Sequence, residues 1–253
     1  FFDEDERLYY VIPMGDRSVI GTTDTRVDEP TTTVTDEDRE FLLRQINGRL
    51  DLDKPLTAGD VIAERCGVRP LVVDASSNHE ESDWLQLSRK HEIEIDHSRS
   101  VVSIFGGKLT DCLNVGEEVL DAVSQLGISA NKLDDSWFGE PPAADFDRFH
   151  ARVNANGEVD DDTAELLWRR YGRRANFVLD RVIADPALAE IMWEDPRYIK
   201  AEIVEIGEYE MVARVEDFLR RRTSLSLTEH GEELEDRIAE ISELLGIAPA
   251  ASV

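Results

Sequence analysis

Three short stretches of this sequence carry residue types in spacings that can do chemistry. The first is Val101-Val102-Ser103-Ile104-Phe105-Gly106-Gly107-Lys108, an apolar run of buried-strand length followed by two glycines and a lysine. Paired glycines let a backbone approach a ligand closely. Leu109, Leu113, Val119 and Leu120 then suggest a helix. Its first free N–H groups would face an anion or a polarised carbonyl, and Lys108 adds a full positive charge at the same place. A plain strand-to-helix turn with a solvated lysine explains the same residues. The G-x-x-x-x-G-K spacing of a P-loop is absent.

The second stretch is Gly67-Val68-Arg69-Pro70. Pro70 pins Arg69 into an extended backbone, and a pinned guanidinium anchors phosphate or carboxylate well. In so acidic a chain, the competing reading is an arginine paired with a local carboxylate. The third is Ser88-Arg89-Lys90-His91, either a second anion contact on a neighbouring strand or a basic patch on a β-edge. The five histidines show no metal spacing, so no metal site is expected, and His91 and His97 read as ordinary residues. No G-x-S-x-G occurs, so a hydrolase elbow is not supported. Two cysteines, Cys66 and Cys112, make neither a disulfide framework nor a CxxC, which fits a reducing cytoplasm.

These stretches need elements to position them. Leu8 to Ile12 and Ser18 to Thr23 flank a Gly-Asp turn and read as a hairpin. Thr35-Asp36-Glu37-Asp38 opens a helix with Phe41, Leu42 and Ile46 on its apolar face. Asp60 to Leu71 reads as strand-like, Val73 to Asp83 as a surface loop, and Trp84 to Ile95 as a candidate strand pair. Gly139-Glu140-Pro141-Pro142-Ala143-Ala144 is the strongest breaker in the chain. Beyond it everything reads helical: Thr163 to Tyr171, Asn176 to Ala184, Tyr209 to Arg222 and Glu232 to Leu245. The Arg220-Arg221-Arg222 run is expected to end a helix favourably against its dipole.

Charge restricts the partners. The 253 residues hold 55 acidic and 28 basic side chains, a net of −27, so phosphate backbones are repelled and nucleic-acid binding is not expected. The excess is spread along the chain: residues 1–135 hold 29 acids against 14 bases, and residues 136–253 hold 26 against 14. Only 5 of the bases are lysine and 23 are arginine. Acid-rich, lysine-poor surfaces suit a salt-rich, halophilic cytoplasm, where self-repulsion is screened. A GC-rich genome explains the arginine bias equally well. The hydrophobic share of 41% is enough for a core, and no apolar run approaches the ~20 residues of a spanning helix.

The motifs, taken in order, resemble the C-terminal half of FAD-dependent glycerol-3-phosphate dehydrogenases. The residues that carry this are Val11-Ile12-Pro13, Ile20-Gly21-Thr22-Thr23-Asp24, Gly67-Val68-Arg69-Pro70-Leu71 and Ser103-Ile104-Phe105-Gly106-Gly107-Lys108-Leu109-Thr110. Tyr171-Gly172 and Glu216-Asp217-Phe218-Leu219-Arg220-Arg221-Arg222-Thr223 match the helical C-terminal domain. The family usually continues Gly-Gly-Lys-Leu-Thr-Thr-Tyr-Arg, whereas this chain has Thr110-Asp111-Cys112-Leu113. The loop through Asn78-His79-Glu80-Glu81 also reads as longer than usual.

The resemblance implies an α+β fold. Residues 1–138 would be a β-rich cap over the substrate plus the last segment of the FAD domain, and residues 145–253 an all-α C-terminal domain. It implies oxidation of sn-glycerol 3-phosphate to dihydroxyacetone phosphate by hydride transfer to FAD, with electrons passing to quinone. Arg69, Arg89 and Lys108 would bind substrate, with Arg69 and Lys108 in the catalytic centre. Gly106, Gly107, Lys108, Leu109 and Thr110 would face the flavin. The dinucleotide fingerprint G-x-G-x-x-G is not in these residues, so an N-terminal FAD-binding segment is expected as a partner. FAD is then expected to be absent from the isolated chain, which would be inactive. The expected location is cytoplasmic, peripheral on the inner face of the cell membrane, and a homo-oligomer is compatible. Two other readings are a glycerol-3-phosphate oxidase that reduces oxygen, and a non-catalytic remnant or interaction module.

The charge reading predicts a response to salt. Screening contracts the Debye length from about 10 Å at 0.1 M to about 3 Å at 1 M. Exposed ion pairs that weaken with it contribute only about 0–1 kcal/mol each. With 55 acids facing 28 bases, repulsion dominates, so the thermal midpoint should rise from dilute buffer to molar KCl. A flat or falling midpoint would mark an ordinary acidic protein.

Overall fold

The computed structural model describes residues 8–25, 27–68, 91–129 and 141–247. The chain forms two compact units: Phe1–Cys66 together with Gly139–Val253, and Gly67–Phe138. The fold is α+β, with small antiparallel strand pairs among helices. The break at Gly139 coincides with the breaker segment. The first 66 residues, expected to group with residues 67–138, instead share a unit with the helical segment.

In the first unit, β1 (Tyr10–Met14) pairs with β2 (Arg17–Gly21) in the expected hairpin, with Ile12 opposite Val19. The turn between them meets the helical segment, where the Asp16 N–H donates to Asp195 Oδ2 at 3.3 Å. Helix α1 (Asp36–Arg49) starts where its side chains dictate: Asp38 N–H donates to Thr35 Oγ1 at 3.2 Å, and Thr35 N–H donates to the Asp38 carboxylate at 3.1 Å. The strand-like stretch after Asp60 has no ladder partner among the described residues 61–68. Glu64 there pairs with Arg39 of α1 instead, its Oε2 3.0 Å from Nη2. Alternation of apolar residues makes a strand only where another edge is free to pair.

The helical part comprises α3 (Ala143–Asn156), α4 (Asp161–Tyr171), α5 (Ala175–Ala184), α6 (Lys200–Tyr209) and, at its end, α9 (Gly231–Leu244). It is not all-α. β5 (Ile191–Glu194) and β6 (Arg197–Ile199) form a hairpin that seats Met192, Trp193 and Tyr198 in the core. The expected helix from Tyr209 to Arg222 is also broken. Met211 takes a left-handed φ of 57°, and the chain resumes with α7 (Val215–Asp217), a wide turn Phe218–Arg222 and α8 (Leu225–Thr228). Arg220 and Arg221 pair with Glu216 and Asp217 one turn back.

Two apolar clusters fill this part. Phe149, Leu167, Val178 and Leu179 centre one; Ile203, Ile206, Phe218 and Ile241 centre the other. Helix α6 serves both, with Ala201 in the first and Ile203 and Ile206 in the second. A Cβ on Gly207 would lie 2.5 Å from the Leu245 carbonyl oxygen, so glycine allows α6 and the end of α9 to touch. Burial on both sides leaves two α6 carboxylates inside, Glu202 and Glu205. Glu202 accepts from Arg170 Nη1 at 2.8 Å, Tyr171 OH at 3.1 Å and the Ile199 N–H at 2.9 Å. Glu205 accepts from Arg174 at 3.0 Å and Arg181 at 2.9 Å. Burial raises the pKa of Glu202, against the lowering by the Arg170 charge and the three hydrogen bonds.

Arg170→Met removes the cation and leaves the Glu202 carboxylate buried. The expected loss at neutral pH is about 3–5 kcal/mol in denaturant unfolding. A carboxylate with a raised folded-state pKa favours folding at low pH and loses that contribution as pH rises. The variant should therefore recover part of its deficit on mild acidification, and adding Glu202→Gln should recover part of it at neutral pH. Equal deficits at pH 5 and pH 8 would place the cost elsewhere.

Candidate functional site

The Gly-Gly-Lys stretch lies in the second unit, at the junction of a hairpin and a helix. β3 (Glu92–Asp96) pairs with β4 (Val101–Phe105), Ile93 opposite Ile104 and Ile95 opposite Val102. Their turn is set by Asp96, whose carboxylate accepts from the Ser98 N–H at 2.9 Å and the Ser98 hydroxyl at 2.6 Å. These bonds, with one from the Arg99 N–H, hold the Asp96 carboxyl below its ordinary pKa. His97 sits in this turn as an ordinary exposed residue.

After Phe105 the chain takes two positive φ angles in succession, 64° at Gly106 and 92° at Gly107. Only glycine adopts such a pair without cost, which is why both positions are glycine. Lys108 then returns to extended backbone. A single 3-10 turn, Leu109–Asp111, leads into α2 (Cys112–Gln125), and the Asp111 N–H donates to the Lys108 carbonyl at 2.9 Å. No side chain among the described residues caps this turn. The amides of Leu109 and Thr110 have no acceptor among the described residues. The Lys108 ammonium likewise has no carboxylate partner there. Lys108 and these two amides thus lie side by side on the exposed surface of the turn.

Two side chains expected on the apolar face of α2 point the other way. Leu109 is 91% exposed and Leu113 62%. The other two, Val119 and Leu120, do lie on the inner face, together with Val115, Ala122 and Val123. Ile104 and Phe105 are about half exposed, so the residues flanking the Gly-Gly turn present apolar surface. Arg69 and Arg89 lie outside the described residues. Of the expected site residues, the structure therefore brings together Gly106, Gly107, Lys108, Leu109 and Thr110.

It also adds one. His91, read from sequence as ordinary, is 4% exposed beneath this turn. Its ring lies between two carboxylates, Nδ1 3.3 Å from Asp111 Oδ2 and Nε2 3.0 Å from Glu118 Oε2. Asp111 is one of the departures from the Gly-Gly-Lys-Leu-Thr-Thr motif. No local pattern marks this histidine, because its partners lie 20 and 27 residues downstream.

Residues 140–246 match the family described as the C-terminal domain of alpha-glycerophosphate oxidase. Among curated proteins, the mitochondrial glycerol-3-phosphate dehydrogenase of Mus musculus is 27% identical over 249 residues, 96% of this chain and 33% of that protein. Glycerol-3-phosphate dehydrogenase 2 of Mycobacterium tuberculosis is 29% identical over 231 residues, 88% of this chain and 38% of that protein. This chain resembles the glycerol-3-phosphate dehydrogenases. The resemblance runs through both units, and the chain spans about a third of the length of these dehydrogenases. Its strand–Gly-Gly-Lys–helix junction lies within the region matched by these dehydrogenases.

Gly107→Ala tests how tightly the junction is specified. An alanine Cβ would keep the unfavourable φ and come within 3.1 Å of the His91 Cβ. Gly127→Ala has a comparable φ of 82° and nothing within 4 Å. Gly127→Ala should cost about 1–2 kcal/mol and Gly107→Ala distinctly more, up to about 3, in chemical denaturation. The reverse order would remove the packing constraint on Gly107.

Proposed function

We propose that this chain is the C-terminal portion of a flavoprotein that oxidises sn-glycerol 3-phosphate to dihydroxyacetone phosphate, with electrons passing to quinone. The observation that carries this reading is Lys108, with no carboxylate partner among the described residues, on the Gly-Gly turn of a chain similar to named glycerol-3-phosphate dehydrogenases. FAD, when bound, supplies the hydride acceptor. The residues present fit it. The positive-φ glycines leave the backbone of Gly106 and Gly107 uncovered, and the free amides of Leu109 and Thr110 suit a flavin carbonyl edge.

In this reading Lys108 holds the substrate anion next to the flavin and favours negative charge developing there. Arg69 and Arg89 complete the grip on the phosphate dianion through charge-assisted hydrogen bonds. The apolar surface of Ile104, Phe105 and Leu109 excludes water from the reacting carbon once the FAD-binding segment is in place. No helix among the described residues is long and apolar enough to cross a membrane. Reaching quinone then calls for peripheral contact with the inner face of the cell membrane from a cytoplasmic position. The matched description, a domain of an oxidase, favours a second reading in which oxygen takes the electrons and peroxide is released.

Kinetics of the flavin-loaded full-length protein test both readings. Lys108→Met and Arg69→Ala should each lower kcat/KM for glycerol 3-phosphate by at least tenfold with FAD content retained, since a lost charge-assisted contact costs about 1.5–3 kcal/mol. Ratios within twofold of wild type would remove both residues from the site. Stoichiometric peroxide with no quinone reduction would select the oxidase reading. No turnover with either acceptor would leave a non-catalytic module.

A further inference from the structure

The Gly-Gly-Lys turn is held from below by a side chain with no assigned role. His91 is almost wholly buried, yet neither ring nitrogen makes an aligned hydrogen bond. What it has instead are two carboxylate oxygens at ion-pair distance on opposite sides, 3.3 Å to Asp111 and 3.0 Å to Glu118. Both come from the segment that follows Lys108: Asp111 closes the 3-10 turn, and Glu118 stands on α2. The histidine comes from the other side, immediately before β3. Its Cβ occupies the space that a side chain on Gly107 would need.

These contacts form a short relay to the lysine. His91 faces Asp111, and the Asp111 N–H donates to the Lys108 carbonyl at 2.9 Å. A second bond steadies Asp111, whose Oδ1 accepts from Asn114 at 2.6 Å. Asp111 and Glu118 are the charged groups that face the ring among the described residues. The ring thus fills the gap between the strand side and the helix side of the Gly-Gly turn, with one carboxylate at each of its nitrogens.

We propose that His91 is a positioning residue, a buried wedge that fixes the Gly106–Thr110 turn and through it the place of Lys108. It touches neither substrate nor flavin in this scheme. Its kinetic consequence rests on the reading of Lys108 given above, whereas its structural consequence does not. With the wedge removed, the repelling carboxylates Asp111 and Glu118 part, the turn loosens, and Lys108 samples positions from which it cannot grip the anion. Binding of substrate suffers more than assembly with FAD.

Two measurements on the full-length protein separate these consequences. Amide exchange followed by mass spectrometry reads the turn without any substrate. In His91→Ala, exchange over residues 106–111 should rise at least tenfold, while β3, β4 and the second half of α2 keep wild-type protection. KM for glycerol 3-phosphate should rise at least tenfold with FAD content unchanged and kcat altered less. His91→Gln, which keeps bulk and one donor, should restore part of the KM. Wild-type exchange over 106–111 in His91→Ala would overturn the proposal whatever the kinetics. If His91→Ala loses protection throughout the unit, Glu118→Gln decides, since it removes one charge at nearly constant volume. Faster exchange confined to 106–111 in that variant supports the wedge; unchanged or uniformly faster exchange overturns it. A wild-type protein that does not turn over glycerol 3-phosphate defeats the functional reading only, and the exchange experiment still decides the role of His91.

Discussion

The helical part of this protein depends on ion pairs that its own packing makes obligatory. α6 belongs to two apolar clusters at once, so two of its carboxylates face inward. Glu202 and Glu205, 1% and 2% exposed, are tolerable there only because arginines from α4, α5 and the turn between them reach in. A buried carboxylate without a partner costs several kcal/mol, and such a pair is retained because removing either half is worse than keeping both. Arg170 also lies 4.0 Å over the Tyr198 ring, which ties the network to the β5–β6 hairpin. The two clusters, the hairpin and α4 to α6 are thus joined through a few charge-assisted contacts.

That dependence explains part of the composition. A planar guanidinium can satisfy a carboxylate with two donors and stack on an aromatic face at the same time. Arg170 bonds Glu202 through Nη1 while stacking on Tyr198, and Arg181 serves Glu205 and Glu208 together. Lysine, a single point charge, could not. The 23 arginines are therefore not only a surface adaptation to 55 acids. The six guanidinium groups of Arg148, Arg170, Arg173, Arg174, Arg181 and Arg197 hold helix and hairpin termini in place.

The second unit uses charge differently. Lys108 has no carboxylate partner among the described residues, although acids outnumber bases nearly two to one. The nearest acid along the chain, Asp111, faces His91 and Asn114. Occupying that carboxylate leaves the lysine free. Exposed apolar side chains, Ile104, Phe105 and Leu109, lie beside it on the same surface.

Much of this was legible in local sequence. The Gly-Asp turn between two β-branched runs gave the first hairpin, Thr35-x-x-Asp38 gave the start of α1, and an apolar pentamer before Gly-Gly-Lys gave a strand entering a helix. Each signal works because its physics spans only a few residues: a capping bond, a φ that only glycine tolerates, a period of apolar side chains. Residues 61–68 carried a strand-like pattern without a partner, and Tyr209 to Arg222 a helical one that Met211 interrupts. The short β5–β6 hairpin was hidden among helices because four strand residues carry no period. Of the four residues that suggested α2, Val119 and Leu120 face inward, yet its packing on β3 and β4 left Leu109 and Leu113 outside and turned Val115 in. His91 had no sequence signal at all. Its role exists only because hairpin formation carries it to carboxylates 20 and 27 residues away, and electrostatic seats of that kind depend on distance in space, not along the chain.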